Sequence, residues 1–311
     1  MEVLVKVDSK AVEKLIDVVS KGIGTLYRPR QIRREADAQA YAIKVLGKAK
    51  ADVDSETRMM EVEAEERISR RIAARECRRQ ENIDDVVEMA AKNLAVEATS
   101  VSEKPVDVDW AARFFNIVQD VSREEMKVFW AKILAKEIER PTTFSLRTLE
   151  VLRNITAEEA ATFEKIAQFV FDHNGFFVYN DSELLESVGG IHYVDLALLT
   201  ECGILQSGDF VIKQYRSLPD KESVSAIVYG KHVVIVKLPI GSKGVDIPVV
   251  LLTKVGQELL GLLDPVFNLE YLHAFARMIK KENPSAIIQY AELISLEGEM
   301  CRYKAPLVDL K

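Results

Sequence analysis

The chain has 311 residues, 48% of them hydrophobic, with 42 Lys+Arg against 49 Asp+Glu. That length suffices for two domains with cores of their own, and no run of 18 or more apolar residues offers a membrane-spanning helix. Three cysteines, Cys77, Cys202 and Cys301, are odd in number and far apart, which argues against a disulfide framework or a cysteine metal set and fits a reducing cytoplasm.

The net charge of −7 is unevenly placed: residues 1–100 are neutral overall and the remaining 211 carry it all. Within the neutral part the signs come in blocks. Residues 28–50 hold seven basic and two acidic residues, Glu61 to Glu66 is acidic, and Arg67 to Arg79 is basic. The acidic second half is a poor electrostatic match for nucleic acid, and the first half only a local one.

In chain order, Met1 to Val7 lacks the basic segment and apolar run of a secretory signal. Asp8 or Ser9 can cap a short helix with Val12, Leu15, Ile16, Val19 and Ile23 on one face, ended by Gly22 and Gly24. Residues Tyr27 to Asn93 then read as one nearly unbroken charged helix, punctuated by Pro29 and Gly47. Its apolar stripe is thin: Ile32, Ala36, Ala40, Ile43, Met59, Met60, Ile68, Ile72 and Ile83. A helix burying so little must lie in water, pair with a copy of itself or meet an extended partner. The stretch Glu35 to Ile43 resembles the Ala/Glu-rich coiled coils of stomatin and flotillin proteins, although heptad and eleven-residue patterns both lapse near Asp54.

Thr99 to Asp109 reads as a linker. After it the texture turns apolar. Trp110, Phe114, Phe115, Val118 and Val121 mark one helix, and Ser122 to Glu125 is a capping box for the next, with Met126, Phe129, Trp130, Ile133, Leu134 and Ile138. The two tryptophans and three phenylalanines predict an aromatic helical core. Pro141 stops the second helix, and Leu146, Leu149, Val151 and Leu152 begin a third. Thr156 to Glu159 is another capping box, for a helix running through Phe171. Strands follow at Phe176–Tyr179, 210–214, 225–229, His232–Leu238 and 249–252. They are interleaved with a helix at Tyr193–Glu201 and one capped by Thr253, and a helix at 269–280 and a strand at 286–294 close the chain.

Several segments together resemble an uncharacterised bacterial family, domain of unknown function 2806. They are Gly22 to Arg30 with Ile32 to Arg34, Arg79 to Asn82, Asp109-Trp110 with Phe114-Phe115, and Val121-Ser122 with Trp130 to Ala135. Ser145, Arg147 to Leu149 and the Phe163 to Phe171 helix continue the likeness. The resemblance implies a bacterial source, a cytoplasmic location and a role in mobile-element or phage-defence biology. It supplies no catalytic residues.

Arg67, Arg71, Arg75 and Arg78 recur at helical spacing and form the sharpest local feature. They suit either a phosphate-tracking face or a helix–helix interface. No aromatic residue interleaves with them, so bases have no stacking platform. Arg28, Arg30, Arg33 and Arg34 follow the amphipathic helix. They suit an anionic membrane surface or, preferably, packing on another subunit, since Glu13 and Asp17 lie on that helix. His173, His192, His232 and His273 stand singly with no metal-ligand spacing. Cys202 reads as a buried structural thiol. There is no dinucleotide loop, phosphate loop or nucleophile elbow.

The sequence therefore predicts a mainly α fold with a C-terminal α+β part. Residues 1–26 form a short amphipathic helix, 27–98 a long coiled-coil-like arm, 99–109 a linker and 110–155 a helical core. Residues 156–265 form a winged-helix-like domain, and 266–311 a closing helix and strand. The function expected is a non-enzymatic, self-associating scaffold or sensor in anti-phage defence, with no cofactor, no metal and no catalytic residues. Its partner would be itself, or another protein. The alternatives are a winged-helix nucleic-acid binder, which the lack of Lys or Arg on Tyr193–Glu201 disfavours, and an enzyme with an unrecognised nuclease site.

Overall fold

Apolar positions recur at helical spacing through the first half, and that half folds as helices. A computed structural model describes residues 9–25, 27, 56–97, 101–207, 211–297 and 300–310. The chain divides into two units, residues 1–149 and 150–311.

The first unit holds α1 (Ser9–Ile23), α2 (Glu56–Glu97), α3 (Val108–Val118) and α4 (Glu124–Glu139). Helix α1 buries Ala11, Leu15, Val18 and Val19, a face rotated slightly from the expected one. It packs on α3, and the C-terminal half of α2 packs on α4. Gly22 is required at the first contact: a Cβ there would sit 2.3 Å from the Phe115 ring. Between the helices lie Trp110 and Phe114 (ring centroids 5.1 Å apart, stacked) and Trp130, edge-on to Phe114 at 5.5 Å. Phe129 does not join this core; it is half-buried beneath the Lys132 ammonium. Two expected boundaries move. Asp107, inside the anticipated linker, caps α3 by accepting from the Trp110 amide. At α4 the N-cap is Arg123, with no side-chain cap bond, so the capping box read at Ser122 does not form.

Helix α5 (Leu146–Asn154) spans the division between the units. The second unit then runs α6 (Ala157–Ala167), β1 (Val170–Asp172), β2 (Phe176–Tyr179), α7 (Ser182–Gly189), α8 (Tyr193–Glu201), β3 (Val211–Tyr215), β4 (Ser223–Tyr229), β5 (His232–Leu238), β6 (Val245–Leu251), α9 (Lys254–Leu260), α10 (Leu269–Glu282), β7 (Ile287–Glu297), β8 (Met300–Tyr303) and β9 (Val308–Asp309). The nine strands form one sheet, in the order β3-β6-β2-β1-β4-β5-β7-β8 with β9 on β7, and every pairing is antiparallel.

This sheet overturns the expectation of a mainly α chain ending in a winged-helix-like domain. Most of its strands carry an individual signal in the sequence. What no local pattern states is that they share one sheet, because β3 pairs with β6 and β1 with β4 across long separations. Strand β1 was read as helix. In fact α6 stops at Ala167, and after a two-residue turn Val170 and Phe171 enter an extended strand that suits β-branched and aromatic side chains. The turn to β2 is His173-Asn174-Gly175, in which Asn174 and Gly175 both hold positive φ (51° and 109°). The Thr156 capping box forms as read, with Thr156 accepting from the Glu159 amide and the Glu159 carboxylate accepting from the Thr156 amide.

The core of the second unit is aromatic. Phe171 stacks with Phe275 at 4.5 Å and Phe177 at 5.6 Å, and tilts against Tyr229 at 4.6 Å. Tyr271 of α10 is fully buried among them, and its hydroxyl accepts from the Tyr179 amide (2.9 Å). That bond spends the one polar atom a buried Tyr must satisfy.

Candidate functional site

Among the described residues of the first unit, the stretch 67–78 of α2 is the longest exposed run that its core does not use. At 42 residues this helix is about 63 Å long by its 1.5 Å rise per residue. Its C-terminal half is bound into the bundle through Ile83, Val86, Val87, Ala90 and Leu94, all buried.

Where the helix leaves the bundle, polar groups clamp it. The Arg79 guanidinium donates to both oxygens of Asp120 (2.9 and 3.2 Å), just beyond α3. Asn82, itself buried, donates to the Gln119 carbonyl (2.9 Å) and satisfies an end group of α3 that has no helical partner. Asp84 accepts from Gln80 and from the Tyr27 hydroxyl. Lys127 of α4 donates to Asp85 (2.7 Å) and Glu124 (3.0 Å). Burial alone would pull the Lys127 ammonium down; the two carboxylates outweigh it and hold the pKa above the usual lysine range. A bidentate guanidinium pair and a buried ammonium pair fix direction as well as position. The clamp sets the angle at which the arm departs.

Beyond the clamp every residue from Arg67 to Arg78 is exposed. In this stretch Arg67, Arg71, Arg75 and Arg78 fall on one stripe by helical spacing, with Arg70 beside it and Glu76 as the one acid. Glu76 pairs with Arg75 (3.1 Å) and Arg79 (3.3 Å). The adjacent stripe is apolar: Ile68 and Ile72, one turn apart, remain 49% and 46% exposed. Two isoleucines flanked by charges form a short seam of the kind that pairs helices. Of the sequence candidates, the structure therefore brings Arg67, Arg71, Arg75 and Arg78 together on one exposed face. Arg28, Arg30, Arg33 and Arg34 lie outside the described residues, as do Ile32, Ala36, Ala40, Ile43 and Gly47.

Elsewhere the chemistry is spent on the fold. His173, Lys213 and Tyr215 gather where the β1–β2 turn meets β3: the Tyr215 hydroxyl lies 3.3 Å from His173 Nδ1, and the Lys213 ammonium donates to the His173 carbonyl and rests over the Phe177 ring. Burial lowers both His173 and Lys213, each keeping its neutral form longer than usual. The group pins a hairpin to a distant strand, and no local sequence signal announces it. The Cys202 thiol is pushed up to about 12 by burial and by Glu159, so it is no nucleophile at neutral pH. Among the described residues no three His, Cys, Asp or Glu side chains gather as a metal set. Two crevices in the second unit measure about 330 and 230 Å³, near the lower end of ligand clefts, and the smaller has the exposed Lys231–Asp264 pair among its lining residues. No described helix is long and apolar enough to cross a membrane.

The sequence reasoning found the arginine stripe and missed the clamp. Arg79 and Asn82 stand in a segment that carried the family likeness, but their partners Asp120 and Gln119 lie about 40 residues on, where no spacing rule reaches. A family model described as a protein of unknown function (DUF2806) matches residues 66–276, which takes in the arginine stripe, the clamp and most of the sheet. No curated protein and no solved structure matches the chain.

Proposed function

This chain belongs to the DUF2806 family, and we propose that it is a non-enzymatic scaffold that self-associates through the outer part of α2. The observation that carries the reading is the contrast along one helix. Between residues 79 and 94 one face is clamped and buried through Asn82, Ile83, Val86, Val87, Ala90 and Leu94, whereas 67–78 are exposed throughout and carry both arginines and half-exposed isoleucines. A clamped base that continues into an exposed helix face of mixed apolar and charged residues is the layout of an assembly element. Covering what remains exposed of Ile68 and Ile72 is worth on the order of 1 kcal/mol each. The arm alone therefore supports a concentration-dependent association rather than a permanent one.

Replacing Arg67, Arg71, Arg75 and Arg78 together with Glu tests this. With the described residues these exposed side chains make no ion pair beyond the surface Arg75–Glu76 one, so the circular dichroism spectrum and melting temperature should change little while the stoichiometry falls. The competing use of the same arginines is binding phosphates. In that case the wild type would bind duplex DNA at physiological salt, and the replacement would flatten the salt dependence by about 0.9 in log–log slope per lost contact. Tight, salt-sensitive DNA binding with unchanged stoichiometry would overturn the scaffold reading.

A further inference from the structure

We infer that His232 is a proton-operated latch: while neutral it seats the strap 264–268 on the sheet of the second unit, and when protonated it releases the strap and opens the crevices that the strap walls. The latch lies wholly within the second unit and is independent of the arm.

The strap runs from Leu262, buried just past α9, to Asn268, the cap of α10, and it changes sides of the sheet at the β4–β5 turn. Asp172 and Val228 are cross-strand partners and share one face; both line the smaller crevice with Leu260, Asp264 and Pro265. Tyr229 and His232 are partners on the opposite face, and there the Phe267 ring lies 3.8 Å from His232 and 5.4 Å from Tyr229. Asp264, Pro265 and Val266 also line the larger crevice, so one strap bounds both. Its other ties are weak. None of its residues is fully buried, the Lys231–Asp264 pair is exposed at both ends, and the Tyr229 hydroxyl reaches the Asn268 carbonyl only at 3.4 Å. The stack of Phe267 on His232 is the closest ring contact it makes.

An apolar ring would seat Phe267 without polar cost, yet the ring here is an imidazole whose Nδ1 is buried and has no hydrogen-bond partner among the described residues. A neutral imidazole protonated on Nε2 leaves a lone pair at Nδ1; the imidazolium must place a charged N–H there. Burial accordingly holds the His232 pKa below the usual range. Its cross-strand partner Glu292 pulls the other way, but that carboxylate accepts from the Lys304 ammonium at 2.7 Å. Lys231, next to it, is taken by Asp264, and the Tyr229 hydroxyl, kept neutral by burial, donates to the Gln168 and Asn268 carbonyls. Tyr290 flanks Phe267 from β7, and the first turn of α10 brings the exposed Glu270 and the buried Tyr271. A released strap returns the imidazole to water and its ordinary pKa of 6.5. The seated strap is therefore at full strength above that value and weakens as pH falls from it toward the lower seated one.

Hydrogen exchange of the full chain, corrected for intrinsic rates, is followed at about pH 7.5 and about pH 5.5, either side of the ordinary histidine value. The Tyr271 and Leu272 amides, bonded to the Asn268 side chain and carbonyl, report the end of the strap, and those of Val233 to Val236 report the sheet. The comparator is His232→Phe, which keeps an aromatic seat and takes no proton. In the wild type, protection at 271–272 should be lost at the lower pH while 233–236 stay protected, and His232→Phe should show no such loss. The His232 ring resonance of the wild type should titrate below the ordinary value. Titration at or above that value means that the seated strap accepts the imidazolium, and overturns the inference. So does an equal loss in His232→Phe, a loss shared by the strands, or no loss at all. If His232→Phe does not fold, the wild-type titration and exchange profile decide.

Discussion

Trp130 is almost completely buried and sits edge-on to Phe114, whereas Phe129, its neighbour in sequence, is half-buried under a lysine. Adjacent aromatics on a helix point about 100° apart, so only one of them can reach the core. Trp130→Ala should cost about 3–5 kcal/mol by chemical denaturation, the range for truncating a buried aromatic. Phe129→Ala should cost a small part of that, and equal losses would mean that the core has been misassigned. A second residue-scale test concerns Glu159. The Thr156 amide, with help from Cys202, holds its carboxyl below the usual range in the folded state. A depressed carboxyl contributes stability that is present above its unfolded pKa and lost as pH falls through its folded value. Glu159→Gln should therefore lower the melting temperature at neutral pH, and the gap from the wild type should close on acidification. A gap independent of pH would show that the charge plays no part.

At the scale of elements, single helices were legible where apolar spacing and terminal signals agree. Pro141 follows the Arg140 C-cap of α4, Thr156 opens α6 and Thr253 opens α9, where it accepts from the Gly256 amide. Strands were legible where a β-branched apolar run is long, as in β5, whose Val233 to Val236 are all buried. The failures were of two kinds. Strand β1 is three residues long and follows a helix after only two residues, so periodicity cannot separate it from the helix and only the Asn174-Gly175 turn marks it. Sheet membership is a matter of distant pairing, so a nine-stranded sheet looked like a few hairpins. The candidate site divides the same way. The arginine stripe is a local repeat and was seen; the clamp joins residues some 40 positions apart and was not. For α2 the structure makes a direct prediction: amides of residues 83–94 should be strongly protected from hydrogen exchange, and those of 67–78 should exchange far faster in dilute solution. If the arm is an assembly element, protection over 67–78 should rise with protein concentration. Uniform protection along α2 at every concentration would contradict both the clamp and the exposed arm.

For the whole molecule, charge and burial point in one direction. The second unit closes its aromatic core with α10 and ties Lys213 and Tyr229 to its own backbone, while the first unit carries a helix whose sequence sorts its two signs into adjoining blocks. Expectations about source and phage defence come from the family likeness, and that about compartment from the likeness and the cysteines; none comes from these surfaces. Self-association is what the arm itself supports, and it is the claim on which the account turns. Sedimentation equilibrium of the purified wild-type chain, from low to high micromolar concentration at moderate salt and without nucleic acid, tests it most directly. The account predicts a mass that climbs from one chain toward two as concentration rises, and falls back when salt is added. A mass of one chain at every concentration and every salt would contradict it.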